Sequence, residues 1–212
     1  MTNFKNNIIK TSRLSKILPR VAKSSSSPGT IEYIWKTRQD EVKISIIDYT
    51  QDTCVEEDIS SIDSSLSFKK KPSTTWVNIT WIHNENIIKD VGEKYSIHPL
   101  VLWDIVNTTQ RPKVEEYDSY IYTIIKMVYF KEKTNEVFVE QVSLLVWDGY
   151  LISLQEVETD VFWSIRNRIR MKKWKICSMG SDYLMYAILD AIVDQYFIVM
   201  EQISEKIEHM ET

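Results

Sequence analysis

Two apolar runs, "VFVEQVSLLVW" (137–147) and "YLISLQE" (150–156), flank the dipeptide Asp148-Gly149. Asp-Gly between strand-like runs is a strong short-range hairpin signal, because glycine supplies the positive φ that a tight turn needs. Just upstream, "YIYTIIKMVYF" (120–130) is apolar on both alternating faces apart from Lys126. A strand of that kind must be covered on both sides. The chain therefore needs helices above and below a sheet.

The flanking segments supply them. "TWVNITWI" alternates like a strand. Asn84 then stands where it caps a helix with Ile87, Ile88, Val91 and Tyr95 at helical spacing. Pro99 occupies the favoured first position of a second helix over about 99–107. Thr159 can cap a helix running through "DVFWSIRNRIRM", and a long helix follows Gly180 to the end of the sequence. "IEYIW" (31–35) and "EVKISIIDY" (41–49) read as a hairpin. The Ser-, Asp- and Lys-rich stretch 51–75 reads as a loop with one short helix. The expected fold class is α/β: a mixed parallel/antiparallel central sheet sandwiched between two layers of helices, with a long C-terminal helix. The expected organisation is a basic flexible arm (1–27), an α/β domain (28–178) and an acidic amphipathic helix packed on it (179–212). Without a glycine or asparagine cap at its end, that helix reads as truncated.

Charge narrows the function classes. The net charge is −4. Lys5, Lys10, Arg13, Lys16, Arg20 and Lys23 precede any acid, which leaves −10 on the rest of the chain. A basic arm on an acidic body does not suggest a nucleic-acid-binding domain. Cys54 and Cys177 form no CxxC pair, and His83, His98 and His209 are too scattered for a zinc pattern. His98 before Pro99 reads as a capping or structural histidine. No GxSxG, HExxH or P-loop motif is present, so no enzyme activity is expected. No uninterrupted run reaches the roughly 18 apolar residues of a membrane span, so the chain reads as soluble.

Three clusters carry chemistry. On the last helix, taking Asp190 as origin, Asp194, Glu201, Glu205 and Glu208 fall within about 60° of it. Leu189, Ile192, Tyr196, Val199, Ile203, Ile207 and Met210 fall on the other side. The simpler reading is a solvated face. Like charges at this spacing repel, however, and a hard cation such as Mg²⁺ or Ca²⁺, or a basic partner, would offset that. The run "RNRIRMKKWK" (166–175) carries six cations and no acid. It reads as a solvated loop and helix end, or as a surface for an acidic neighbour. Third, Asp104 shares one side of its helix with Trp103 and Asn107, while Val101, Leu102, Ile105 and Val106 cover the other. That pattern places Asp104 toward solvent or a partner. An anion near a helix C-terminus opposes the dipole by up to about 1 kcal/mol, a cost that a nearby cation would remove.

The stretch "IHPLVLWDIVNTTQRPKVEEY" (97–117) resembles the signature region of the CorA family of magnesium transporters, in their cytosolic N-terminal domain. "PGTIEYIW", "TTWVNITWIH", "EQVSLLVWDGYLISLQE", "VFWSIRNRIR" and "SDYLMYAILDAIVDQYFIVMEQI" resemble the same family in the same order, from about residue 28 onward. The resemblance implies a central mixed sheet between helical layers and a homopentamer whose cytosolic funnel senses Mg²⁺. Metal between neighbouring subunits would hold the pore closed, and its loss would open it. Asp104 matches the family's interface ligand, and Asp190 a nearby second-site carboxylate. Trp103 stands where some members carry an acid, which puts the second site in doubt. The family's stalk helix, which carries the partner aspartate of Asp104, is missing from this sequence, as are its two membrane helices and Gly-Met-Asn pore motif.

The resulting expectation is a cytosolic Mg²⁺-sensing regulatory domain of a CorA-type transporter of Mg²⁺ and also Co²⁺. It would lie on the cytoplasmic side of the cell membrane, with a membrane-embedded parent. Self-association of this chain alone should be weak, giving monomers or small oligomers. The rivals are a zinc-transporting relative, a free-standing partner-binding module and, more remotely, a metal-dependent hydrolase using Asp190 and Asp194.

Overall fold

The computed structural model describes residues 41–69, 71–131 and 136–211. Its strands are β1 (Lys43–Tyr49), β2 (Cys54–Ile59), β3 (Thr74–Thr80), β4 (Lys113–Glu116), β5 (Ile121–Lys131), β6 (Glu136–Trp147) and β7 (Tyr150–Gln155). Its helices are α1 (Glu85–Tyr95), α2 (Pro99–Val106), α3 (Trp163–Arg170), α4 (Trp174–Ser178) and α5 (Ser181–Glu211). Among the described residues the strands form one sheet, ordered β2-β1-β3-β7-β6-β5-β4. Every neighbouring pair is antiparallel except β3 and β7. The mixed sheet expected from the sequence is present.

Alternation along the strands separates two cores. Val77, Leu145 and Ile152 face one side and join Ile88 and Val91 of α1 and Val101 and Ile105 of α2. Trp76, Leu144 and Leu151 face the other side and join Ile165 of α3, Ile176 of α4 and Leu184, Ile188 and Ile192 of α5. This is a helix–sheet–helix sandwich. The Asp148-Gly149 turn closes β6 onto β7, with Trp147 opposite Tyr150 and Gly149 at φ +68°.

Several local expectations are corrected. The stretch 51–75 contains a strand as well as the expected short helix, a 3₁₀ helix over Ile62–Ser67. β2 escapes a pattern search because its sequence, CVEEDI, is largely exposed and acidic, and among the described residues it pairs on one edge only. Residues 31–35, the expected hairpin partner of 41–49, lie outside the described residues, and β2 and β3 take the two edges of β1. Thr159 does not cap α3. Its hydroxyl accepts a hydrogen bond from Gln155, and a 3₁₀ turn over Asp160–Phe162 leads into the helix. The short helix α4 begins within the end of the basic run, unannounced by the sequence. Met1–Asp40, which hold the arm, are likewise outside the described residues.

The face of α5 that meets the sheet also differs. Leu184, Ala187, Ile188, Ile192 and Val199 are buried, whereas Ile203 and Ile207 are 41% and 48% exposed. In these turns Gln202 and Lys206 are the less exposed residues, and Lys206 Nζ lies 3.8 Å from the ring centre of Phe130 on β5. α5 has the length and apolar composition to cross a membrane. A search for an uninterrupted apolar run misses this because Asp190 and Asp194 break it. In this fold Leu184, Ala187, Ile188 and Ile192 serve the core, while Val193, Phe197, Ile198 and Met200 of the same helix are exposed.

Candidate metal centre

α2 forms where the sequence dictates. Pro99 presets the first turn, and His98 Nδ1 accepts the Leu100 backbone N–H at 3.3 Å, so His98 is a helix cap. The other end of α2 is held by the sheet. Gln141 Nε2 donates to the Asp104 carbonyl at 2.9 Å. Lys126 Nζ donates to the Thr108 carbonyl at 2.7 Å and to Gln141 Oε1 at 3.1 Å. Burial pushes the Lys126 ammonium below its ordinary range. Lys126, the one charged residue within this apolar run, thus ties down the chain just after α2 and bonds the Gln141 side chain that holds α2 itself.

Asp104 is 7% exposed, so of the two sides expected for it, solvent or a partner, it does not face solvent. A helical wheel identifies the apolar side of α2 but cannot see that β4 and β6 roof the polar side with polar groups. Asp104 Oδ2 accepts from Lys113 Nζ at 2.6 Å. The same ammonium donates to Glu115 Oε1 at 2.6 Å, and Tyr117 donates to Glu115 Oε2 at 3.0 Å. The cation that the helix dipole calls for beside Asp104 is therefore Lys113. Partial burial lowers the Lys113 pKa, but its hydrogen bonds to Asp104 and Glu115 outweigh this and raise it. The Lys113 hydrogen bond holds the Glu115 carboxyl below its usual range, against the opposing effect of burial. Partial burial, with the hydrogen bond to Glu115, pushes the Tyr117 phenol up to about 12. Sequence reasoning singled out Asp104 and missed Lys113 and Glu115. The signal was the alternation in "KVEE", which puts positions 113 and 115 on one face of a strand.

Asp190 lies elsewhere. It is exposed on α5, on the opposite face of the sheet from α2. One chain therefore does not bring Asp104 and Asp190 together. Among the described residues, no group of three or more His, Cys, Asp or Glu is placed to hold a metal ion. Both aspartates are hard oxygen donors suited to Mg²⁺ or Ca²⁺, and each supplies only a fraction of the ligands such an ion takes. Each is suited by chemistry to be one ligand of such an ion, and among the described residues neither is joined by enough donors to make a site.

The basic run forms a helix end and an exposed loop, one of its two expected readings, and some of its cations also make contacts within the chain. Arg170 makes a two-pronged ion pair with Glu56 of β2, at 2.7 Å on each prong. Lys172 donates to the Asp52 carbonyl at 2.5 Å, and the Arg166 guanidinium lies 5.4 Å from the Trp76 ring centre. The acidic neighbour that this run meets is β2 of its own sheet.

A family model described as "CorA-like Mg2+ transporter protein" matches residues 73–212. The chain belongs to this family. It is 38% identical over 190 residues to the cobalt/magnesium transport protein CorA of Thermotoga maritima, covering 90% of this chain and 54% of that protein. The chain thus spans about half the length of this CorA relative. The soluble domain of CorA from Methanocaldococcus jannaschii superposes with a TM-score of 0.59 at 16% identity, over 79% of this chain and 62% of that one. The cytoplasmic domain of ZntB from Vibrio parahaemolyticus gives 0.59 at 15% identity, over 79% and 64%. These two likenesses establish the CorA soluble-domain fold for this chain.

Proposed function

We propose that this chain is the cytosolic Mg²⁺-sensing domain of a CorA-type divalent-cation transporter that carries Mg²⁺ and also Co²⁺. In the assembled protein, a homopentamer in this reading, Asp104 and Asp190 serve sites shared between neighbouring subunits. Bound Mg²⁺ ties the subunits together and favours the closed pore, and its loss frees them. A ligand shifts such an equilibrium only by its difference in affinity between the two states. A site completed across an interface has that difference built in, because its ligands converge in one state alone.

The observation that carries the reading is Asp104 itself. It is a carboxylate fixed on α2 with its backbone carbonyl pinned by Gln141, and its side chain already holds a cation. Membership of the CorA-like family supports the transporter context. The matching fold of the ZntB cytoplasmic domain favours a second reading, a zinc-transporting relative. Oxygen-only donors at Asp104 and Asp190 weigh toward Mg²⁺, since zinc sites draw on cysteine and histidine.

Ion flux through the full-length protein in vesicles tests this. Asp104→Ala should raise the Mg²⁺ concentration needed for inhibition by about tenfold, the value of one charge-assisted contact. Asp190→Ala should have a smaller effect. Wild-type Mg²⁺ inhibition in Asp104→Ala would contradict the reading.

A further inference from the structure

Lys113 Nζ lies 2.6 Å from Asp104 Oδ2 and 2.6 Å from Glu115 Oε1, so one ammonium bridges two carboxylates. Ca²⁺ holds its oxygens at about 2.3–2.6 Å, and Mg²⁺ at about 2.0–2.1 Å. The ammonium occupies the place that a divalent ion shared by these two carboxylates would take. The surroundings are built to keep it there. The Asp104 side chain is 9% exposed and that of Lys113 31%. Glu115 is steadied by the Tyr117 hydroxyl, and the Tyr122 ring centre lies 5.7 Å from the ammonium.

We infer that Lys113 is a tethered competitor for the metal: a divalent cation binds Asp104 only by displacing the Lys113 ammonium, with Glu115 left free to join the ion. The inference rests on the reading of Asp104 as a metal ligand and adds what sets its affinity. Displacement costs a charge-assisted hydrogen bond and the re-solvation of one ammonium. The Asp104 site is thereby tuned to a weaker affinity than its carboxylates alone would give. Because Lys113 sits on β4 and Asp104 on α2, metal binding also loosens a tie between the helix and the sheet edge.

The test uses the purified 212-residue chain, titrated with Mn²⁺ by electron paramagnetic resonance and back-titrated with Mg²⁺. Lys113→Met should bind Mn²⁺ at least about tenfold more tightly than wild type. Adding Asp104→Asn should cancel the gain, and Lys113→Arg should show none. Lys113→Met binding no more tightly than wild type, while Asp104→Asn still weakens wild-type binding, overturns the competitor role and leaves Asp104 a ligand. A gain that survives Asp104→Asn overturns both. Circular dichroism checks that each variant folds. Should Lys113→Met not fold, lysine side-chain NMR on the wild type decides. The Lys113 ε-methylene resonance should move with Mg²⁺ in wild type and stay still in Asp104→Asn. A resonance unmoved at saturating Mg²⁺ in wild type overturns the proposal.

Discussion

Gly92→Ala probes the contact that seats α2, and with it Asp104. Gly92 is buried in α1 facing Leu102 of α2. A methyl group built at Gly92 would lie 2.3 Å from Leu102 Cδ1 and 3.3 Å from its Cγ. Carbon atoms rest at about 3.5–4.0 Å, so the Leu102 tip must move by more than an ångström. Leu102 is 6% exposed and packed among Ile88, Val91 and Ile105, which limits where it can go. Overpacking of this kind costs about 1–3 kcal/mol, and replacing glycine by alanine inside a helix returns about 1 kcal/mol. The expected net loss is about 1 kcal/mol. Leu102→Ala alone should cost about 2–5 kcal/mol through the cavity it leaves. In the double variant the new methyl occupies part of that cavity, so the combined loss should fall about 1–2 kcal/mol short of the sum. Urea denaturation followed by tryptophan fluorescence measures all four corners of the cycle. A stabilised Gly92→Ala with strictly additive effects would refute the close approach of α1 and α2.

Gly149 holds φ +68° in the β6–β7 turn, and its carbonyl accepts the Thr75 N–H at 2.9 Å. Gly149→Ala should cost about 1–2 kcal/mol from the left-handed backbone alone, read by the same urea assay; an unchanged midpoint would refute the turn geometry. The Glu115 carboxyl, lowered chiefly by its hydrogen bond from Lys113, contributes stability that is full above its unfolded value of about 4.3 and is lost as pH falls through the lower folded value. Glu115→Gln should therefore lose less stability than wild type between about pH 5 and pH 3, and identical pH slopes would show that the ion pair carries no such linkage.

The parts of the fold legible in the sequence are those set by local chemistry. Asn84 accepts the Asn86 N–H and opens α1, Pro99 opens α2, and Asp148-Gly149 closes a hairpin. What local pattern misses is set by distant segments. β2 is a strand because β1 offers an edge, not because CVEEDI prefers one. Asp104 looks exposed on its own helix and is buried because Gln141 and Lys113 arrive from 37 and 9 residues away. The end of α5 looks amphipathic, yet it turns Lys206 toward Phe130 of β5 and leaves Ile203 and Ile207 exposed. The candidate site was half legible: both aspartates stood out by type and position, while the lysine that neutralises Asp104 could be found only once β4 was placed beside α2.

Hydrogen–deuterium exchange on the full-length protein, with and without Mg²⁺, tests the Mg²⁺-sensing role most directly. Subunit-bridging metal should protect α2 (99–106) and the turns of α5 around Asp190 together, over one range of Mg²⁺ concentration, and Asp104→Asn should abolish the change in α2. Exchange in both helices that is indifferent to Mg²⁺ would contradict the account.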